Sequence, residues 1–496
     1  ARLLAYLRYG YLPALSRPLY PFAVDNYDSI YDQPGALEAW SKQRAVPGLL
    51  DFSRSPLGVS PLIGAVRFMD VYRSSIDPNF GDPKVRVCWD GSRHVNSNLV
   101  PWPIRYEDFT SITSSLRPNE YYAQLDLKSF YHCLPCHSTV QPFFGVADPV
   151  TNERGCYLRV PFGLATAPAF ASGVSAEAGH IMDARLISAG GSVEPQRNIY
   201  LDDYLFRDVT SAATNLGLNN GIQVCKDLGL GVSTSKLVWA TTRTKHLGYV
   251  IDSSTQTVEV SSVHRDFALA AIGDLLRSGR TSRKKFHSLC GLLSYLAVAV
   301  FASRPYLRPF WTYLRTLRHG RRPRKLPGDL VRDLKWWQSR LQTLDATSPW
   351  VNPASSPVEI IMTDASGDVG CGVWWGRRRF RHLWTASQLQ GSVPYKELWP
   401  IVRFVRRFGS EISRRWGGKR GVLVVRSDSL TNTYSVNAGS SSSPACARLL
   451  RELASLQRRY GLWVLLSWTP REKNVVADLL SKFSLSGEPL IVPSNI

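Results

Sequence analysis

An α+β fold followed by a smaller α/β unit is the architecture this chain predicts, and three observations predict it. Residues 84 to 255 alternate short, half-apolar strand patterns with a few helical stretches. Residues 262 to 345 are rich in Leu, Arg and Trp and read as helical. A Pro/Ser stretch from Ser348 to Pro357 then gives way to strand, helix, strand and helix between Val358 and about Phe483. The 496 residues suffice for about two to four domains, and 44% hydrophobic with 20% charged residues describes a globular chain. No internal repeat is visible.

Residues 1 to 80 are rich in Pro, Tyr and Ser and carry no readable motif. Lys84-Val85-Arg86-Val87-Cys88-Trp89-Asp90 alternates charged and apolar positions, as a half-buried strand does, with Arg93 and Asn96 in the turn after it. A second alternating strand, Tyr121 to Leu125, ends at Asp126. Val160 to Phe170 is a Pro/Gly loop opening into an Ala-rich predicted helix. Asn198-Ile199 and Tyr204-Leu205-Phe206 flank Tyr200-Leu201-Asp202-Asp203, which predicts strand, tight turn and strand with two acids at the tip. Adjacent carboxylates repel, so such a tip is poor for stability. It suits a hard divalent cation, which takes carboxylate oxygens and leaves sites open for phosphates. Gly229 to Lys236 and then Lys245 to Ile251 follow.

The later unit has the same habit of ending strands in acids. Ile360 to Thr363 runs into Asp364, and Val369 to Trp375 predicts its paired strand. Tyr395 to Val402 opens an apolar-periodic helix bearing Glu397. Val422 to Ser427 is a buried strand leading to Asp428, and Leu465 to Pro470 leads through a short loop to Asp478.

Lys and Arg number 60 against 39 Asp and Glu, a formal charge of +21. The basic residues cluster at Arg277–Lys285, Arg315–Lys325 and Arg377–Arg381, which implies a polyanionic partner, nucleic acid first. Eight cysteines without framework spacing imply a reduced, intracellular protein, cytoplasmic or nuclear. Cys133-Leu134-Pro135-Cys136, flanked by His132 and His137, lacks the second half that a zinc site needs and reads as part of the strand after Asp126. Arg2, Arg8, Pro13 and Arg17 interrupt the N-terminal apolar stretch, so no signal peptide is read. The longest apolar run, Gly291 to Ala302, is too short to span a bilayer, and no membrane partner is expected. The chain looks like a segment cut from a longer product.

In this order and spacing, the segments around Asp126, Phe162-Gly163, Asp202-Asp203, Lys236 and Leu247-Gly248 resemble the successive motifs of reverse transcriptases, with the gypsy-type LTR and DIRS-type retrotransposon enzymes nearest. The resemblance implies a right-hand polymerase of fingers, palm and thumb. It implies that Asp126, Asp202 and Asp203, with the backbone carbonyl of Leu127, hold two Mg²⁺ or Mn²⁺ ions for nucleotidyl transfer. It places Tyr131 beneath the incoming sugar, where bulk excludes a 2′-hydroxyl, and Gly163 against the nascent base pair. Lys236 would neutralise or protonate the leaving group. Arg86 and Lys84 would bind the triphosphate, and Leu247-Gly248-Tyr249 would support the primer end. Ser129 departs from the acid that some relatives carry, and Phe162 stands where retroviral enzymes place Gln.

The acids Asp364, Glu397, Asp428 and Asp478 in an α/β unit resemble RNase H, which implies two more metal ions activating water against the RNA of a hybrid. Many relatives carry a mobile His before the last acid. No His follows His382 here, and the loop Pro470-Arg471-Glu472-Lys473-Asn474 is short. Arg471 or Glu472 is a candidate substitute.

The resemblance covers residues 84 to 483. It implies an N-terminal extension (1–80), fingers and palm (81–257), a helical thumb or connection (258–347), a linker (348–357), an RNase H domain (358–484) and a tail (485–496). The implied partners are an RNA template, a DNA primer, the RNA–DNA hybrid and dNTPs. Trp468-Thr469-Pro470-Arg471-Glu472-Lys473-Asn474 favours the DIRS-type group. Two alternatives stand beside this reading. One is a domesticated or inactive copy that only binds nucleic acid. The other is a DNA-templated repair polymerase with a fused nuclease. Oligomeric state is not legible.

Overall fold

The computed structural model describes residues 2–66, 70–71, 83–104, 106–107, 109–190, 196–318, 322–343, 347–350 and 356–482. The expected tail 485–496, residues 351–355 of the expected linker and residues 72–80 of the expected extension lie outside these. The chain divides into two compact units, 1–112 with 118–246, and 113–117 with 247–496. Helices and sheets are mixed in both, as the α+β reading expects. No helix among the described residues is long and apolar enough to cross a membrane.

In the first unit, β1 (Leu62–Val66) and β2 (Val85–Trp89) form an antiparallel hairpin that pairs Ala65 with Arg86. The central sheet is built from β3 (Tyr121–Asp126), β4 (Gln196–Tyr200), β5 (Asp203–Asp208) and β6 (Val238–Thr241). Its order is β6-β3-β5-β4, antiparallel throughout. Two helices cover one face because small residues let them approach. In α1 (Ala167–Ser188), a Cβ at Gly179 would come within 2.6 Å of Arg197 Nη2 and 2.7 Å of Ile199 Cδ1, both on β4. In α2 (Ser211–Asp227), a Cβ at Gly221 would meet the Phe206 ring of β5 at 2.6 Å. Thr210 caps α2, its hydroxyl accepting from the Ala213 N–H at 3.2 Å.

The segment after Asp126 departs from the strand expected there. It does not continue as a strand through Cys133 and Cys136. Ser129 adopts φ 50°, a left-handed conformation that turns the chain into a single 3₁₀ turn, Phe130–Cys133. Only isolated bridges follow, Tyr11 with Cys136 and Pro135 with Arg159. All eight cysteines are free.

The second unit opens with a hairpin, β7 (Tyr249–Asp252) and β8 (Thr257–Val260). Four helices follow: α3 (Ser262–Ser278), α4 (Arg283–Leu296), α5 (Arg308–Thr316) and α6 (Gly328–Gln342). On α4, Phe286, Leu289, Cys290, Leu293 and Leu296 form a buried stripe at helical spacing. Each such Leu contributes about 2 kcal/mol through burial. A five-stranded sheet then forms from β9 (Val358–Ala365), β10 (Gly370–Trp375), β11 (Arg378–Leu383), β12 (Gly421–Ser427) and β13 (Leu462–Trp468). Its order is β11-β10-β9-β12-β13, with β9, β12 and β13 parallel and the first three strands antiparallel. Between its strands run α7 (Val393–Arg415), α8 (Leu430–Ala438) and α9 (Pro444–Tyr460). The closing helix α10 (Val475–Lys482) sits on β10 because residue 372 is glycine: a Cβ there would lie 2.4 Å from Leu480 Cβ.

Candidate active sites

The first acidic cluster is assembled by strand register. Asp126 ends β3, Asp203 begins β5, and the two are direct antiparallel partners. Asp203 also pairs with Tyr200, which leaves Leu201 and Asp202 as a two-residue turn. Leu201 takes φ 55°, which costs a branched side chain about 1 kcal/mol or more. Three ties hold the turn. The Ser175 hydroxyl on α1 donates to the Leu201 carbonyl. The Tyr204 phenol donates to the Ser175 carbonyl at 3.0 Å. The Leu127 N–H donates to the Asp202 carbonyl at 2.9 Å.

Three carboxyls so placed cannot all ionise freely. Burial, then the Asp202 charge, then a hydrogen bond with Asp126 push Asp203 up to about 7. Asp202 is raised as well, chiefly by burial and with a contribution from Asp126, against the opposing charges of Lys236 and Arg86. Lys236 Nζ lies 2.7 Å and 2.8 Å from the two Asp126 oxygens. Desolvated, mutually repelling acids with a lysine already drawn to one of them form a donor set suited to divalent cations.

The other residues named from the sequence take varied positions. Arg86 is exposed on β2, and its charge reaches Asp202. Lys84 is exposed just before β2. Tyr131 packs edge-on to Phe162, ring centroids 5.0 Å apart, with its phenol pushed up to about 12 by burial. Gly163 has φ 119°, and a Cβ there would fall 1.8 Å from the Trp89 carbonyl oxygen. That collision within the chain requires glycine whatever lies beyond it. Asn96 fixes the same loop, donating to the Gly163 carbonyl at 2.8 Å and accepting from the Ala165 N–H at 2.9 Å. Leu247, Gly248 and Tyr249 belong to the second unit. Tyr249 stacks on Tyr295 of α4 at 4.6 Å, and its phenol donates to the Tyr295 carbonyl at 2.7 Å.

The second cluster lies at one end of the five-stranded sheet. Asp364 comes from β9, Glu397 from α7 and Asp428 from the residue after β12, and one carboxylate oxygen of each lies within 4.8 Å of the others. Among the described residues this is the only group of three or more His, Cys, Asp or Glu that converges so closely. Burial, with the charges of Asp364 and Asp428, pushes Glu397 up to about 8, and its buried Oε2 has no hydrogen-bond partner. A buried carboxylate oxygen without a donor, facing two more acids, fits a divalent cation.

Asp478 is held differently. Arg471 and Lys482 both pair with it, at 2.9 Å and 2.6 Å, and draw it below the usual carboxylate range against the opposing effect of burial. Its charge still raises Asp364. Thus three of the four expected acids converge, while the fourth is tied to two cations beside them. Two supports escaped sequence reading. Ser481 donates to Asp364 Oδ2 at 2.5 Å, and Asn474 donates to the Thr363 carbonyl at 2.9 Å. Ser481 lies one helical turn after Asp478, a spacing that could have pointed to it. Ser175 offered no such signal.

Residues 78–251 match the family described as reverse transcriptase (RNA-dependent DNA polymerase). No curated protein matches the sequence. The chain is similar in structure to the foamy viral protease–reverse transcriptase dRH in complex with double-stranded DNA, with a TM-score of 0.54, 15% identity, and coverage of 92% of this chain and 74% of that one. It is also similar to the foamy viral protease–reverse transcriptase in complex with double-stranded DNA, with a TM-score of 0.53, 14% identity, and coverage of 95% and 92%. For the same viral protein in complex with an RNA/DNA hybrid, the TM-score is 0.51 at 15% identity, covering 97% of this chain and 60% of that one. At these identities the likeness is one of fold.

Proposed function

We propose that the chain is a retroelement enzyme of the DIRS or gypsy type that copies RNA into DNA and cleaves the RNA of the resulting hybrid. The observation that carries the reading is the direct pairing of Asp126 with Asp203 beside a turn bearing Asp202, inside the segment that matches the reverse transcriptase family.

Asp126, Asp202 and Asp203 would hold two Mg²⁺ or Mn²⁺ ions, with the Leu127 carbonyl as a further oxygen donor. Bound there, the ions supply a lowered pKa for the attacking 3′-hydroxyl and charge for the leaving pyrophosphate. Lys236 would neutralise or protonate the leaving group, and Arg86 and Lys84 would add positive charge for the triphosphate. Tyr131, already packed on Phe162, is a rigid wall against a 2′-hydroxyl. In the second unit, Asp364, Glu397 and Asp428 would hold the ions for hybrid cleavage, with Ser481 fixing the Asp364 carboxylate and Asp478 at the edge of the set. Leu247-Gly248-Tyr249, braced by Tyr295, would steady the primer end.

The test is primer extension with dNTPs and Mg²⁺ on a labelled RNA template. The intact chain extends the primer and shortens the template. Asp203→Asn stops extension only, and Glu397→Gln stops template cleavage only. A chain that binds the hybrid yet neither extends nor cuts leaves the nucleic-acid-binding alternative standing.

A further inference from the structure

The second unit contains a cleft of about 540 Å³ that neither acidic cluster uses. It is lined by residues from α6, from the end of α9 and from the start of β13. Gly421 pairs with Leu462 at this end of the parallel strands, whereas Ser427, next to Asp428, pairs with Trp468 at the other. The cleft therefore lies at the end of the sheet away from the carboxylates.

Its lining combines two chemistries. Tyr306 stacks on Trp336 with centroids 3.7 Å apart, and Phe301 leans on Trp463 at 5.0 Å. Trp336, Trp463 and Phe301 each remain only part-buried. Arg458 lies over Trp336 at 5.0 Å and is anchored by the Ala302 carbonyl at 2.8 Å. Arg420 and Arg459 complete the basic wall, and among the described residues no Asp or Glu lines the cleft. Arg420 has neither a hydrogen bond nor an ion pair among the described residues, although burial depresses its pKa. Aromatic faces beside guanidinium groups are what unpaired bases and their phosphates bind, because every base has a face to stack. A duplex hides those faces.

We infer that this cleft is a second nucleic-acid site, which takes a single-stranded segment with its phosphates on Arg420 and Arg459 and a base against Trp463. The inference goes beyond the proposed function and holds whether or not either active site is competent.

The full chain is irradiated with a short single-stranded oligodeoxynucleotide carrying 5-iododeoxyuridine, and the cross-linked peptides are mapped by mass spectrometry. Cross-links to Trp463 or Trp336 are expected. In Arg420→Glu/Arg459→Glu, two changes on exposed side chains, they fall by about tenfold or more, while cross-links in the first unit persist. A melting curve confirms that the double variant is folded. Excess deoxynucleoside monophosphate or inorganic phosphate should compete poorly. Efficient competition by either, cross-links confined to other regions, or cleft cross-links indifferent to the charge reversal would each overturn the inference. Loss of primer extension leaves it untouched, so the two failures are told apart.

Discussion

Arg471 holds Asp478 through two nitrogens, Nε and Nη2, each 2.9 Å from Oδ1. The arginine lies in the short loop before Asp478, and its positive charge also reaches Asp364, Glu397 and Asp428. A cation already placed among acids competes with any metal they bind. Arg471→Ala is therefore expected to lower the Mg²⁺ concentration for half-maximal hybrid cleavage by about two- to fivefold, the scale of one exposed ion pair. A Mg²⁺ titration of cleavage measures this, and an unchanged midpoint would remove Arg471 from the metal balance.

The staple on the Asp202 turn offers a second test. Ser175→Ala removes the donor to the Leu201 carbonyl, leaving a left-handed residue held by one tie fewer. A lost buried hydrogen bond costs about 1 kcal/mol in stability. Misplacement of the turn is expected to slow primer extension by about tenfold while hybrid cleavage continues at its original rate. Equal loss of both activities would indicate general unfolding instead.

Gly163→Ala sets a Cβ 1.8 Å from the Trp89 oxygen at φ 119°. The loop must break its contact with β2 or the variant must unfold, so a loss above about 3 kcal/mol is expected in urea unfolding. A loss below 1 kcal/mol, on the order of an ordinary surface change, would mean that the loop relaxes freely.

One half-buried and one buried histidine make the first unit acid-sensitive. Burial holds His132 and His246 down at about 4, with Arg159 and Arg207 respectively adding to the effect. The unfolded chain protonates near 6.5, so the folded state binds fewer protons between those values. Their contribution is complete above pH 6.5 and is lost progressively as pH falls to 4. Between pH 6.5 and 5 the loss is about 2 kcal/mol for each histidine. Urea midpoints at pH 7.5 and 5 should differ accordingly, and His132→Gln/His246→Gln should shrink that difference even if it lowers both midpoints.

The sequence disclosed strands better than what ties them together. Tyr121 to Leu125 and Val422 to Ser427 were legible because apolar alternation or a continuous apolar run ends abruptly at an acid. The helix around Glu397 was legible from its 3.6-residue period. The turn at Ser129 was not, since nothing in Lys128-Ser129-Phe130 announces a left-handed residue. Lys236 with Asp126, Ser175 with Leu201, and Ser481 with Asp364 are pairs 110, 26 and 117 positions apart. Only the folded chain brings such partners together. Gly163 was read as room for a substrate, whereas its nearest constraint is the carbonyl of Trp89.

The parallel strand β13 runs seven residues from the aromatic cleft to the acidic end of the sheet. At 3.3 Å per residue this spans about 20 Å, close to six base-pair steps along a duplex axis at about 3.4 Å each. A sheet does not stretch, so it acts as a gauge. A strand gripped at Trp463 and cut at the carboxylates would be measured by the protein itself, and the shortest fragments released would share one minimum length.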